Sequence, residues 1–324
     1  MRFTRSRFLR GERRRKARRL YLSAQMLRIL GTIFAAVLGL AFGSFLNVCL
    51  SRWPEDESVV APRSHCRGCG RTLAWWENVP LLSWLALRGR CRTCGIWIGW
   101  RYPLVEAAVA GLWAILAGRL LPDALDTLVS RPFLTTDMVL AAASMLFLWL
   151  LVALAVLDAE NLWLPDWLTL PGAVLGIAGN LLKFKLSSDS VLPLYGAMGL
   201  QQRMLWHLAF RWVLGVLAAA GIILLIRWIY WLIRKREGIG LGDAKLMALL
   251  AAWLGLPGAL LAFAVGVALG TVAALVLLAV PRREGDEAWG RMKLPLGTFL
   301  CAGGIVSGLW GQPLIAAYLR WAGF

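Results

Sequence analysis

Charged residues are scarce in this sequence, and acidic residues are much fewer than basic ones. Only 16% of the 324 residues are charged, and 18 acidic residues stand against 35 lysines and arginines. So low a charged fraction, together with 59% hydrophobic residues and a mean hydropathy of +0.66, excludes a soluble globular domain of this length. The composition therefore predicts an all-α polytopic membrane protein.

A recognisable nucleic-acid-binding module is also lacking, although the net charge is +17. The lysines and arginines lie in short segments between apolar runs. That distribution is typical of the positive-inside rule and of contact with anionic lipid headgroups. We therefore predict a lipid bilayer with anionic headgroups as a partner, and no nucleic acid.

Apolar segments long enough to cross a bilayer recur along the chain, and counting them gives about eight predicted transmembrane helices. They are predicted at residues 27–50, 104–121, 138–157, 165–182, 211–233, 244–254, 258–280 and 294–310. The sixth and seventh are expected to join tightly around Pro257. Basic loops after the first, fifth and seventh segments agree on one side, which is predicted to be cytoplasmic.

The basic N-terminal extension, residues 1–26, conflicts with this topology. An even number of crossings that begins outside would place its arginine-rich block, residues 13–16, outside, and short tails with this charge rarely translocate. Two interpretations stay open. Either Met26 is the working start and the tail is an extension, or the first segment is not a simple span.

The substantial polar segment, residues 51–103, contains two Cys-x-x-Cys pairs that are about 20 residues apart. The four cysteines are Cys66, Cys69, Cys91 and Cys94. Each pair offers two thiolates at the spacing that one tetrahedral zinc ion needs, so the spacing predicts a zinc-ribbon-like domain. The alternative is two disulfides in an oxidising compartment, but the many arginines of the loop favour the cytoplasmic side.

Two aspartates fall at the ends of predicted membrane segments. Asp158 ends one segment, and Asp243 opens another directly after a glycine-rich stretch that includes Gly240 and Gly242. An ionisable group at such a place is a functional hypothesis by default. The glycines remove side-chain bulk, so an extended peptide could approach the backbone there. The alternative from this stretch alone is that Asp243 is an ordinary helix N-cap.

Other polar residues near these aspartates are candidates for lesser roles. Glu160 and Lys245 are within sequence reach as supporting groups. Asp166 is the rival for the first aspartate, but its place directly after Pro165 at a helix start favours a capping role.

Several motifs in a fixed order resemble one known family. They are Gly43-Ser44-Phe45-Leu46-Asn47-Val48, Arg63-Ser64-His65-Cys66 with the four-cysteine pattern, Arg88-Gly89-Arg90-Cys91, Arg101-Tyr102-Pro103-Leu104-Val105-Glu106, Asp158 seven residues before Pro165, and Gly240-Leu241-Gly242-Asp243 followed by Lys245. Together they resemble the type IV prepilin peptidases, which are leader peptidases and N-methyltransferases, over nearly the whole chain after Met26.

The resemblance implies an eight-helix aspartyl protease of the Gly-x-Gly-Asp kind whose catalytic pair maps onto Asp158 and Asp243. It implies precursors of type IV pilins or type II secretion pseudopilins as substrates, cut behind a short basic leader at the cytoplasmic face of the bacterial inner membrane. It also implies methylation of the new N-terminus with S-adenosylmethionine, for which Arg101 and Glu106 are the candidate residues. No Rossmann-type glycine fingerprint follows a strand, so this cofactor rests on the resemblance alone.

The residues also leave two other classes of function open. In one, the protein is a zinc-ribbon membrane scaffold whose aspartates are pairing partners only. In the other, it is a transporter whose carboxylates form a cation or proton site. The transporter would need the aspartates near the bilayer midplane, whereas the sequence places them at segment ends. With the peptidase reading, residues 104–324 are expected to form the protease domain.

Overall fold

The computed structural model of the chain describes residues 2–130, 134–191, 198–236, 240–279 and 294–323. Three features discussed above lie outside the described residues. They are the start of the glycine-rich stretch at residue 238, the basic loop at residues 281–293, and the side chains of the N-terminal arginine block.

Helices make up nearly all of the regular structure. The part of the chain that the structure describes has eight α-helices: α1 (Arg2–Arg52), α2 (Leu82–Ala86), α3 (Arg101–Ser130), α4 (Leu134–Asn161), α5 (Asp166–Val191), α6 (Met198–Arg234), α7 (Leu241–Ala279) and α8 (Leu296–Trp321). The described residues contain no β-strand, only two isolated bridges, His65 to Thr72 and Arg90 to Trp97. Seven of the described helices are long and apolar enough to span a membrane. The predicted all-α polytopic fold is confirmed.

Helix α7 accounts for the difference between seven long helices and eight predicted spans. It is interrupted at Gly255, whose φ of 73° and ψ of 169° are not helical. The two predicted segments, 244–254 and 258–280, are the two halves of this broken helix. The break lies within the predicted joint around Pro257, and it falls at Gly255 because glycine adopts positive φ without the steric penalty of a side chain. Pro257 instead begins the second half, where its missing N–H is tolerated.

The break in α7 frees backbone carbonyls that a side chain of α5 satisfies. The Nδ2 of Asn180 donates to the carbonyl of Ala252 at 3.0 Å and to that of Trp253 at 3.2 Å. The normal donor to Trp253 would be residue 257, a proline without an N–H. The indole of Trp253 in turn donates to the carbonyl of Gly172 at 2.9 Å. These bonds fasten α5 to the break, since buried carbonyls need partners.

The chain separates into two compact units. The first consists of Met1–Cys49 and Ser58–Ala142. Within it α1 and α3 pack closely through glycines, because a Cβ at Gly39 would lie 2.7 Å from the Cα of Ala110, and one at Gly43 would lie 2.7 Å from the Cα of Glu106. The arrangement of small residues at a helix interface is typical of membrane proteins.

The second unit consists of Leu50–Glu57 and Ala143–Phe324 and contains the larger core. Its fully buried residues come mainly from α4, α7 and α8, and include Leu151, Leu154, Leu246, Met247, Leu250 and Leu300. Helices α7 and α8 approach so closely that a Cβ at Gly303 would overlap the carbonyl of Ala262. One at Gly266 would lie 2.9 Å from the carbonyl oxygen of Phe299. The position of α8 therefore depends on glycines at this seam.

This seam predicts a stability difference between two glycine-to-alanine changes. We expect Gly303→Ala to lower the unfolding temperature in detergent micelles, because overpacking against backbone destabilises by roughly 1–3 kcal/mol. Gly179→Ala on α5 is the control, since nothing lies within 4 Å of its Cβ position. Alanine there should be neutral or stabilise by up to about 1 kcal/mol. Equal stability of the two variants would contradict the close packing of α7 and α8.

Candidate active site

Asp158 lies in the last turn of α4, with 6% of its surface exposed. The helix ends at Asn161, and Leu162 follows in the left-handed region with a φ of 50°. The N–H of Leu162 donates to the carbonyl of Asp158 at 2.9 Å, which closes the last turn. Pro165 then keeps the chain extended, because the residue before a proline avoids the helical region. The carboxylate of Asp158 is thus fixed at a helix terminus, among apolar residues.

Asp243 is the third residue of α7 and is 8% exposed. The backbone N–H of Gly240 donates to its carboxylate, and the carboxylate is close enough to Asp158 for the two charges to repel each other. Both carboxylates also lie within electrostatic range of the buried thiol of Cys301 on α8. The structure therefore brings together the two aspartates that the sequence singled out.

The predicted glycines have different surroundings. Gly240 precedes the helix, and a Cβ there would lie 3.5 Å from the Oδ2 of Asp243. Gly242 lies inside the first turn of α7 and not in an extended strand, and a Cβ there would lie 3.2 Å from the side chain of Leu164. Its small size lets Leu164 pack against the start of the helix.

The first turn of α8 contributes groups that the sequence reasoning missed. The N–H of Thr298 donates to the Oδ2 of Asp158 at 2.6 Å, and its hydroxyl lies 3.1 Å from the same oxygen. The backbone N–H of Gly297 also donates to this carboxylate. A Cβ at Gly297 would lie 2.8 Å from the Oδ2, so only glycine fits there without displacement. The signal available in the sequence was a Pro-x-Gly-Thr helix start, at residues 295–298.

One of the predicted supporting residues, Lys245, forms an ion pair with a third aspartate. The ammonium of Lys245 lies 2.5 Å from the carboxylate of Asp166, the first residue of α5. Asp166 is exposed, as expected for a helix-start residue at the positive end of the helix dipole. Glu160 is exposed in the last turn of α4.

The four predicted metal ligands converge in the first unit. The Sγ atoms of Cys66, Cys69, Cys91 and Cys94 all lie within 4.8 Å of one another. None of the six cysteines, all of which are described residues, forms a disulfide in the structure. This donor set and spacing fit a tetrahedral metal ion.

Two matching turns build the cysteine cluster. Gly70 and Gly95 have φ values of 69° and 68°, and their N–H groups donate to the carbonyls of Cys66 and Cys91 at 2.8 and 2.9 Å. Backbone N–H groups of Cys94 and Thr93 lower the pKa of Cys91 to about 6. Because the thiolate is the form that binds metals, the turn geometry prepares this ligand for a cation.

Glu106 of α3 lies in the same unit, 7% exposed. Its Oε2 accepts a hydrogen bond of 2.8 Å from the N–H of Leu81, and the side chains of Ser44 and Asn47 also donate to the carboxylate. Leu81 has a φ of 57°, so Glu106 holds a strained turn of the loop. The guanidinium of Arg101 lies over the ring of Tyr102, 4.9 Å from its centroid.

Asn47, which the sequence analysis names only as part of a motif, also lies at this place. It is 2% exposed, and its Nδ2 donates to the carbonyl of Tyr102 at 2.9 Å. Its Oδ1 is buried without a donor. A buried acceptor beside the carboxylate of Glu106 suits a group that brings hydrogen-bond donors or a positive charge, and both an amine and the methionine moiety of S-adenosylmethionine are of this kind.

Comparison with known proteins assigns both units. A family model described as the bacterial peptidase A24 N-terminal domain matches residues 37–120, and one described as the type IV leader peptidase family matches residues 145–275. Several relatives bear the name prepilin leader peptidase/N-methyltransferase, and three of them are compared below. The protein of Myxococcus xanthus is 37% identical over 268 residues, which cover 82% of this chain and 68% of the relative.

The relative from Pseudomonas aeruginosa is 33% identical over 311 residues, which cover 89% of this chain and 93% of that protein. That of Burkholderia pseudomallei strain 1026b is 37% identical over 314 residues, or 86% and 85% of the two chains. No solved structure matches the chain.

The cysteine cluster predicts one bound metal ion per chain. Elemental analysis of the purified protein should find it, and the double change Cys66→Ser with Cys69→Ser should remove it because two ligands of a four-ligand site are lost. Cys49→Ala is the control, since Cys49 is buried in α1 and is not part of the cluster. Stoichiometric disulfides between the two pairs in the native protein would contradict this prediction.

Proposed function

The chain belongs to the type IV leader peptidase family, and from this membership we propose that it is a membrane aspartyl endopeptidase for pilin precursors. The substrates are type IV prepilins or type II secretion pseudopilins, whose short basic leader is removed. N-methylation of the new N-terminus follows in the same protein. Leader peptidase and N-methyltransferase are the two activities in the names of its relatives.

The observation that carries the peptidase proposal is the pair of buried carboxylates at the ends of α4 and α7. Asp158 and Asp243 lie within range of each other's charge and are 6% and 8% exposed. When two carboxylates lie so near each other in a largely apolar site, the state in which they share one proton is favoured. Such a pair hydrolyses a peptide bond without a covalent intermediate, because one member activates water while the other polarises the scissile carbonyl.

The neighbouring residues fit subsidiary roles in this reaction. Gly240 has no side chain, and a Cβ there would lie 3.5 Å from the Oδ2 of Asp243. We propose that the substrate backbone approaches the carboxylate on this side. Gly242 permits the packing that holds the start of α7. Lys245 and Glu160 lie on the exposed side of the same helix ends, and the Lys245 to Asp166 ion pair joins the starts of α7 and α5. We assign Lys245 and Glu160 a supporting role only.

We propose zinc as the ion held by the four cysteines. A closed set of four thiolates suits a structural site and not a catalytic one, which keeps a position open for water or substrate. The loop of residues 51–103 would then be the metal-stabilised region that serves methyl transfer, between the first span at 27–50 and the protease segments at 104–324.

For the methyltransferase half we propose Glu106, with Arg101, as the residues that serve the methyl acceptor and its cofactor. S-adenosylmethionine supplies an activated methyl group when bound. Glu106 offers a buried carboxylate that attracts the amino group of the cleaved pilin, and it takes up the proton that this nitrogen loses when its bond to the methyl carbon forms. Arg101, at the start of α3, brings a positive charge suited to the cofactor's carboxylate.

The cellular setting follows from the charge distribution. We propose that the protein lies in the bacterial inner membrane with both sites at the cytoplasmic face. Arg234, Lys235 and Arg236, at the end of α6, are exposed basic residues that suit the cytoplasmic side and anionic headgroups. The single experiment that tests the whole proposal is incubation of the purified protein with a type IV prepilin, followed by mass measurement with and without S-adenosylmethionine.

The aspartate pair predicts the outcome of three single substitutions. Asp158→Asn and Asp243→Asn should each abolish prepilin cleavage, and the double variant should be no worse, because residues that act as one unit are non-additive when removed. Asp166→Asn should keep most activity, since this exposed residue loses only a surface ion pair. Gel analysis of leader removal, with metal content as a check on folding, measures this. Robust cleavage by either of the first two variants would reject the mechanism.

The separate placement of Glu106 predicts a split between the two activities. Glu106→Gln should reduce methylation more than cleavage, because the amide keeps the size of the side chain and can still accept from Leu81, but lacks the charge. Mass spectrometry of the cleaved pilin with S-adenosylmethionine present reports both steps. Equal loss of the two activities would indicate a folding effect in place of a role in methyl transfer.

A further inference from the structure

Hydrogen bonding distinguishes the two aspartates of the pair. Three donors from the first turn of α8 serve Asp158: the N–H of Gly297, the N–H of Thr298 and the hydroxyl of Thr298. Among the described residues, the donor to Asp243 is the backbone N–H of Gly240. Donors that converge on a carboxylate favour its ionised form.

From this asymmetry we propose that Thr298 is a positioning residue that keeps Asp158 ionised as the base and leaves the shared proton on Asp243. The proposal rests on the proposed function, in which these two aspartates perform the cleavage. It adds which member holds which role, and it identifies a third residue, outside the motifs of the sequence, that decides it.

The proton positions then fix the sequence of steps. Asp158 takes a proton from water as the water oxygen bonds to the scissile carbonyl carbon, and Asp243 gives its proton to the carbonyl oxygen. The C–N bond then breaks as protonated Asp158 gives its proton to the departing nitrogen. A hydroxyl of the intermediate returns a proton to Asp243. Each aspartate ends in its starting state, and the products are a carboxylic acid and an amine.

The hydroxyl of Thr298 has a second acceptor, the carbonyl of Ala155 in α4, at 3.0 Å. A hydroxyl carries a single proton, so it serves either Asp158 or Ala155 at one time. A bond to Ala155 alone would only tie α8 to α4. The experiment must therefore separate an effect on the ionisation of Asp158 from a loss of packing.

The test is the pH dependence of kcat/KM for prepilin cleavage in Thr298→Val and Thr298→Ser. Valine keeps the backbone N–H and the shape but removes the hydroxyl, whereas serine keeps the hydroxyl. We expect the acidic limb of the profile to move up by about one pH unit in Thr298→Val. Loss of one hydrogen bond to the carboxylate of Asp158 disfavours its ionised form relative to the protonated form by roughly tenfold. Thr298→Ser should restore the original limb.

The other titratable groups near Asp158 are the same in all of these variants, so they do not account for a difference in the pH profile. Among the described residues they are Asp243 on α7 and Cys301 on α8, and neither is changed in these variants. The matched control is Thr169→Val. Thr169 is fully buried and its hydroxyl donates to the carbonyl of Pro165 at 3.1 Å, so it has the same kind of packing without a carboxylate. Its profile should keep the original acidic limb.

An unchanged acidic limb in Thr298→Val, or a loss of activity that is uniform across pH, would overturn the proposal. Thr298→Ala provides the same measurement if the valine variant does not accumulate in the membrane. Asp158→Asn, assayed in parallel, distinguishes failure of the proposed function from failure of the positioning role of Thr298. If it cleaves, the proposed function fails. If it is inactive while Thr298→Val has the original profile, only the positioning role fails.

Discussion

The need to stabilise a charge within an apolar helical unit governs the second unit of this protein. An ionised carboxylate that leaves water must find donors or a counter-charge, or it costs several kcal/mol. Asp158 finds them in the first turn of α8, where backbone N–H groups have no partner within their own helix. The site therefore lies where the C-terminal end of α4 contacts the N-terminal turn of α8.

The close seam between α7 and α8 makes this possible. Gly266 on α7 and Gly303 on α8 leave no room for a Cβ between the helices, so the two can approach backbone to backbone. The same approach brings Asp243, in the first turn of α7, to the carboxylate that α8 holds. Gly297 has the same role at the site itself, since a methyl group there would displace the Oδ2 of Asp158. Packing and chemistry thus depend on the same small residues.

The cysteine loop obeys a different constraint, because it has almost no core. Its buried residues include two cysteines of the cluster, Cys66 and Cys91, and Glu77. The carboxylate of Glu77 accepts a hydrogen bond of 2.7 Å from the guanidinium of Arg71 and one of 2.8 Å from the N–H of Ala74. These bonds lower the pKa of Glu77. So few buried groups do not fold a segment of this length by burial of apolar surface alone. A metal ion held by the four cysteines would contribute on the order of 10 kcal/mol to the stability of such a segment.

The sequence by itself determined what depends on composition and on short spacing. Hydrophobic runs predicted the membrane helices, the Cys-x-x-Cys spacing predicted a cluster that the structure confirms, and segment ends located Asp158 and Asp243. Tertiary structure decided that Lys245 pairs with Asp166 and which groups Thr298 and Asn47 contact. Thr298 is 140 residues from Asp158 in the chain, and no local pattern encodes a contact over that distance. Periodicity and spacing reflect interactions between residues that are near one another in the chain. Helix packing decides which donors that are distant in the chain reach a buried carboxylate.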